Sequence, residues 1–475
     1  MKKLLSLVLC GAMAVSVTAL TGCSKDYPTE KGATSIMFYA QDFEDWSNEH
    51  LYEKVKEFNS NLNDGIQIEM RMYEDSEYTQ ALTSAREGGY APDIYMVSYG
   101  NLAGDIQKKY PAVVNDLLPQ SAFEDLLDNV EEMVCYDGNY YGYPQLTEPS
   151  SLLFYRKSAL KKANVSGDPA TWDWSDLYGA CEAIKPTLGK MQYVIGLPTA
   201  LPAGWATVGL QYDTAGYLPL NDNWDTCMVT STIETSTQNY KSENGYANLA
   251  RLWYDLYSAG YVPLSNVSPT GYNDIIEGLC DGKLAMTFAG SWSVAEILNT
   301  YPDIADDIGV APVPTIDGDK SGATATNGGW VYSISDSSTQ EKKEKATAFI
   351  KWLLIEDTAR TASYFERAHY SKAPVTKSVQ DYIKEHADEE YTEWREVIND
   401  VASKALSEPL YSFDVTLRYA AVLEDIVINA RPIGDGHTNA DIDNEISALL
   451  AKMVSEINMD IDRNHLAGTN PKPKN

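Results

Sequence analysis

Trp292 follows Gly290-Ser291 at the end of an apolar run, residues 284–288, and opens a helical pattern that continues to Tyr301. In α/β sheets the turn from a strand into a helix faces the crevice where ligands bind. An indole at such a turn offers a flat apolar face, and the helix head offers backbone donors. Trp330 stands after Gly328-Gly329, where missing side chains let a backbone approach a bound molecule. Trp205 lies in a Pro-Gly loop beyond the apolar run 194–197, and Tyr411 sits in a similar loop. Asp42, Glu44 and Trp46 follow the first apolar run, and Ser98, Tyr99 and Asn101 follow the run 92–97. Flat rings set beside carboxylates and amides can hold a molecule that has apolar faces edged with hydroxyls. The 32 Tyr and 10 Trp against 9 Phe favour the same chemistry, because these rings carry a polar handle. For each tryptophan the alternative is ordinary packing inside a core.

Nothing in the sequence marks covalent chemistry. There is no G-x-S-x-G and no H-E-x-x-H. The five histidines, His50, His369, His386, His437 and His465, are dispersed, so no zinc site and no cofactor is expected. With 68 acidic residues, carboxylate pairs occur by chance, and a hydrolytic pair cannot be picked out from them. Asp460, Asp462 and Asn464 resemble calcium ligands, but no glycine takes the turn position and no glutamate closes the loop. A solvated helix end is the expectation there.

These residues must be positioned by alternating strands and helices. Residues 35–40 read as a strand, Leu51, Val55 and Phe58 recur at helical spacing, and Ile66, Ile68, Met70 and Met72 alternate as in a strand. A second such unit ends in the strand 92–97, with Asp93 expected to be structural. Alternation of this kind predicts a mainly parallel sheet covered by helices. Asp137-Gly138-Asn139 between aromatic flanks predicts a hairpin. Thr171 or Asp173 caps a helix, 246–261 is an amphipathic helix stopped by Gly260, and 340–354 is another helix.

Lys2 and Lys3 precede an apolar stretch, residues 4–17, of the length of a secretory signal and too short to span a bilayer. Leu20-Thr21-Gly22-Cys23 follows directly and resembles the bacterial lipobox, in which the chain is cut before the cysteine and Cys23 carries lipid. Residues 24–31 read as a tether, and no later stretch approaches the roughly 20 apolar residues of a membrane helix. About 450 residues then remain, which favours two or more domains. The net charge is −31, and −33 once Lys2 and Lys3 are gone, a field that repels nucleic acid and anionic headgroups. Cys135, Cys181, Cys227 and Cys280 form no C-x-x-C pair; disulfides and buried free thiols both remain open.

An ordered set of segments resembles the extracellular sugar-binding proteins of the maltose-binding type. It comprises Tyr140-Tyr141-Gly142-Tyr143-Pro144, then Leu152-Leu153-Phe154-Tyr155-Arg156-Lys157, then Thr171-Trp172, then residues 281–292 through Gly290-Ser291-Trp292. Ala311-Pro312-Val313-Pro314, Gly328-Gly329-Trp330, the helix with Ala346, Phe349, Ile350 and Trp352, and Pro374-Val375 continue the order. The matches cover nearly the whole chain beyond the tether. Arg156 departs from the family's usual Asn, and residues 201–242 match no motif.

The resemblance implies an α/β, two-lobe periplasmic-binding-protein-like fold of type II, with ligand held in the cleft between lobes. It implies chain crossings near Thr147, Thr326 and Ser371. The first lobe would be 34–147 plus 327–371 and the second 148–326 plus 372–465, after a signal, 1–22, and a tether, 23–33, and before a flexible tail, 466–475. It places a stacking ring at Trp292 and a hydroxyl-binding carboxylate at Glu148. Trp330, Tyr99, Asn101, Glu44 and Trp205 are the further expected ligand contacts. The implied function is carbohydrate capture for an ATP-driven importer, by a monomer that is held at the outer face of the cell membrane through Cys23 and hands its ligand to permease subunits. A tethered glycoside hydrolase, an adhesion module and a binding protein for a non-sugar solute are the competing readings.

Overall fold

A computed structural model describes residues 33–61, 65–198, 205–221, 224–230, 240, 244–263, 272–387, 392–408, 413–430 and 436–464. The signal, Cys23, Tyr411 and the tail therefore lie outside the described residues, as does the side chain of Trp205.

Twelve strands are described: β1 (Thr34–Gln41), β2 (Ile66–Tyr73), β3 (Ile94–Ser98), β4 (Cys135–Tyr136), β5 (Asn139–Tyr140), β6 (Tyr143–Pro149), β7 (Leu152–Arg156), β8 (Tyr193–Gly196), β9 (Leu284–Ala289), β10 (Ile308–Ala311), β11 (Thr326–Ile334) and β12 (Leu406–Ser407). Six of them form one sheet, ordered β12-β11-β3-β1-β2 with β6 on the other side of β11. Four form a second, ordered β10-β7-β9-β8. The expectation of mainly parallel sheets needs correction. β1 pairs in parallel with β2 and β3, and β8 with β9, but β11 runs antiparallel to β3 and β6, and β7 antiparallel to β9 and β10. Both sheets are mixed, because the strands that carry the chain between them enter against the βαβ direction.

Each sheet has its own core. Ile36, Phe38 and Ala40 of β1 meet Leu51, Val55 and Phe58 of the helix Asp45–Asn61, the spacing read from the sequence. Asn59 fixes this helix to β2 through both backbone groups of Ile68, at 2.9 and 3.0 Å. The other core is built from Leu153, Met286 and Phe288 against the helix Tyr246–Ser258, whose Leu249, Leu252, Trp253, Leu256 and Tyr257 are buried. The helices Phe413–Asn429 and Asn439–Asn464 close that core. Arg251, fully buried, is held there by Asp255 at 2.9 Å and Asp443 at 2.8 Å.

Local signals were obeyed. Asp137 and Gly138 take φ of 52° and 77°, the pair of positive values that a tight hairpin requires. Asp173, not Thr171, caps the helix Trp174–Ile184, exchanging hydrogen bonds with Asp176 in a capping box. Two expectations did not hold. Asp460 is buried and bonded to Arg418 at 2.7 Å rather than solvated. Residues 372–387, assigned to the second lobe, pack on the first sheet's side: Leu127 N donates to Val375 O at 3.0 Å, Ser378 Oγ to Asp125, and Val379 and Ile383 join Leu146 in one apolar cluster. The described cysteines are free thiols, three of them buried.

Candidate functional site

Three chain segments lie side by side between the two sheets. β6 leaves the first sheet at Pro149, and after two intervening residues β7 begins the second. β11 brings the chain back. Thr147 is opposite Gly329, and it exchanges two backbone hydrogen bonds with Ala373, at 3.0 and 2.7 Å. Ser150 and Thr326 are tied by Ser150 N to Thr326 O at 2.9 Å and Thr326 N to Ser150 Oγ at 3.0 Å. The three positions read as crossings, 147, 326 and 371, thus fall in neighbouring strands and one adjoining segment.

Charged side chains converge here. Lys372 donates to Glu148 at 2.6 Å and lies 3.5 Å from Glu44, with its own side chain only 6% exposed. Burial opposes the charge on Lys372, but Glu148 and Glu44 outweigh it and hold the ammonium above its ordinary pKa. Glu44 Oε2 is buried and has no donor among the described residues. Glu408 follows β12, beside the same stretch of β11. Burial pushes its carboxyl up to about 8, against the backbone N–H of Gly100 and with help from Glu148.

The aromatic residues divide. Trp292 heads the helix Ser293–Thr300, and its neighbour Ser291 donates its N–H to Pro149 O at 3.0 Å, which sets the turn against the end of β6. The indole lies over Gly290, where a Cβ would sit 1.9 Å from the ring, so glycine is required beneath it. Trp292 remains half-buried. The hydroxyls of Ser291 and Ser293, on either side in sequence, are buried without partners among the described residues. Trp330 is also half-buried, edge-on to Phe43 at 5.0 Å. The backbone of Trp205 starts a short helical turn, and the next residue, Ala206, accepts from Ser151 Oγ at 2.7 Å, which brings that turn to the crossing.

Two expected contacts stand apart from this cluster. Tyr99 is fully buried and its hydroxyl is committed to Leu146 O at 2.9 Å, so it braces β6 from behind and offers no surface. Gly329 makes room for this ring and for Leu146 O, which a Cβ would approach to 2.6 and 2.2 Å; its missing side chain serves internal packing, not a ligand. Asn101 is exposed on the first turn of the helix Tyr99–Gln107 and bonds Ser98 Oγ at 2.9 Å. Trp46 packs against Tyr364 at 5.3 Å, and Asp42 holds Asn48. Asp93 is structural, accepting from Met37 N, Ser338 and Lys342. Lys372, Glu408 and Asn327, which is buried with Oδ1 unpartnered among the described residues, were not singled out from the sequence. For Lys372 a signal existed, since it directly follows the expected third crossing at Ser371. Among the described residues no group of His, Cys, Asp and Glu is arranged to hold a metal, and no helix is long and apolar enough to cross a membrane.

Two mixed α/β sheets flanked by helices and joined at such a crossing make the fold of the periplasmic binding proteins. Residues 53–397 match the model of the bacterial extracellular solute-binding protein family, and the chain belongs to that family, the non-enzymatic, ligand-capturing component of ABC transporters. An uncharacterized lipoprotein from the oleD 5′ region of Streptomyces antibioticus is 27% identical over 351 residues, 72% of this chain and 71% of that protein. An uncharacterized ABC transporter extracellular-binding protein of Pyrococcus horikoshii is 24% identical over 336 residues, 66% and 71% of the two chains. Among solved structures, the ABC substrate-binding protein of Listeria monocytogenes in complex with cycloalternan superposes with a TM-score of 0.69 at 17% identity, covering 90% of this chain and 99% of that one. Maltose-bound T. maritima MalE3 gives 0.69 at 19%, covering 88% and 99%. UgpB from Mycobacterium tuberculosis with glycerophosphocholine gives 0.68 at 17%, covering 91% and 100%.

Proposed function

We propose that this solute-binding protein captures a sugar or oligosaccharide at the strand crossing and delivers it to the permease subunits of its importer. The observation that carries the reading is the pairing of Glu148 and Glu44 with the buried ammonium of Lys372 at the crossing, beside the turn that leads into Trp292 and the strand that carries Trp330. Ring faces suit the C–H faces of a pyranose, and carboxylates accept from its hydroxyls. The two sheets and their helices form two lobes, 34–147 with 327–371 and 148–326 with 372–465, modified by the packing of 372–387 on the first. Closing about the three crossings is a hinge motion.

Purified protein is expected to bind one equivalent of an oligosaccharide in calorimetry, to melt higher with it by mass action, and to return it unchanged. Sustained release of a shorter product, lost on changing one acidic residue, would overturn this in favour of a hydrolase.

Anchoring follows the same reading. The lipobox-like Leu20-Thr21-Gly22-Cys23 supports tethering of Cys23 to the outer face of the membrane. Cys23→Ser is expected to leave the protein unprocessed or released into the medium. A single acyl chain binds only marginally, so stable attachment needs more than one. If the variant is cut and retained with lipid as before, the anchor lies elsewhere.

A further inference from the structure

We propose that the crossing selects the charge of the ligand: the group that meets Glu44 and Glu148 is a neutral or cationic donor, and acidic solutes are excluded. This rests on the binding site proposed above and adds the ligand's sign to it. Two carboxylates, Glu44 and Glu148, share one cation, Lys372, which is too buried to serve a third partner from solvent. The pair therefore keeps a net negative charge after pairing. Glu44 Oε2 has no donor, and an ionised carboxylate can only accept, so what completes it must bring an O–H or N–H. Among the described residues no cation other than Lys372 lies within ion-pair distance of Glu44 or Glu148. Tyr364, from the helix Thr358–Arg367, feels Lys372, Glu44 and Glu148 together, and its hydroxyl meets Ser47 at 3.4 Å. From the helix Tyr99–Gln107 come Tyr99 and the backbone of Gly100. Arg395, on the helix Thr392–Lys404, is stacked on the ring of Tyr370 at 5.2 Å.

Glu148 opposes the ionisation of Glu408 in the same sense, while burial, the larger cause, resists a charge of either sign. The chain's formal charge of −31 acts in the same direction at long range.

The test is a thermal-shift panel followed by calorimetry on the purified full chain. It uses maltotriose and other neutral oligosaccharides, trigalacturonate as a size-matched acid, glycerol 3-phosphate, and choline and acetylcholine as carriers of a cationic group without an anion. Stabilisation by neutral or cationic members, with the acids at least about tenfold weaker, is the expected result. Glu44→Gln keeps the shape and removes one charge. It should improve the affinity for trigalacturonate relative to the neutral sugar by about tenfold at low salt, and by less at high salt. An acid bound as tightly as its neutral counterpart, or an unchanged ratio in Glu44→Gln, overturns the proposal. Binding of choline compounds without any sugar would end the carbohydrate reading and leave the charge selection standing. A protein stabilised by nothing in the panel counts against both.

Discussion

Lys372→Met is expected to be among the most destabilising single changes in this protein, by about 3–5 kcal/mol. Methionine has nearly the length of the lysine stem and leaves little void, so the loss is electrostatic. The ammonium at 2.6 Å from Glu148 and 3.5 Å from Glu44 disappears, and two largely buried carboxylates face each other unpaired. Removing one partner of a buried pair costs more than the pair itself contributes, because the remaining charge is left without compensation. Urea unfolding of both proteins at neutral pH measures the loss. Glu148→Gln in the Lys372→Met background should recover part of the loss, since it removes one stranded charge. Equal midpoints for Lys372→Met and wild type at neutral pH would show that the triad contributes nothing to stability.

The contrast between what was and was not legible in the sequence turns on periodicity. The helix Gln340–Leu354 keeps the limits read from the sequence: its apolar residues recur at helical spacing, and in the structure Thr339 caps it. The helix Tyr246–Ser258 and the Asp137-Gly138 hairpin were equally plain. Strand direction was not, because alternation marks a strand without saying which neighbour it runs against, and β11 and β7 turned out antiparallel. The site was half legible. Trp292 and Glu148 sit at the junctions of elements, where order along the chain points to them. Tyr99 occupies a similar junction but turns inward, since its hydroxyl finds Leu146 O. Lys372 and Glu408 lie in irregular segments with no repeating pattern, and only the folded chain brings them to Glu148.

Trp292→Ala is expected to weaken sugar binding by about 2 kcal/mol, roughly 30-fold, while the ligand-free protein keeps its fold. The indole is half-buried and lies over Gly290, so one face is supported by backbone and part of the ring stays open. A ring held in this way needs little ordering to stack on a pyranose, and such pre-organisation favours a large share of the binding energy for one residue. Because the ring is only half-buried, its loss should cost less stability than the 3–5 kcal/mol or so of a tryptophan removed from a sealed core. Trp292→Phe should lose less affinity, because a smaller ring still stacks. Two readouts separate ligand contact from packing: the melting temperature without ligand and the calorimetric Kd of both variants. A well-folded Trp292→Ala protein with the wild-type Kd takes this ring out of the site, whereas a collapse of the ligand-free melting temperature with no change in Kd assigns it to the core.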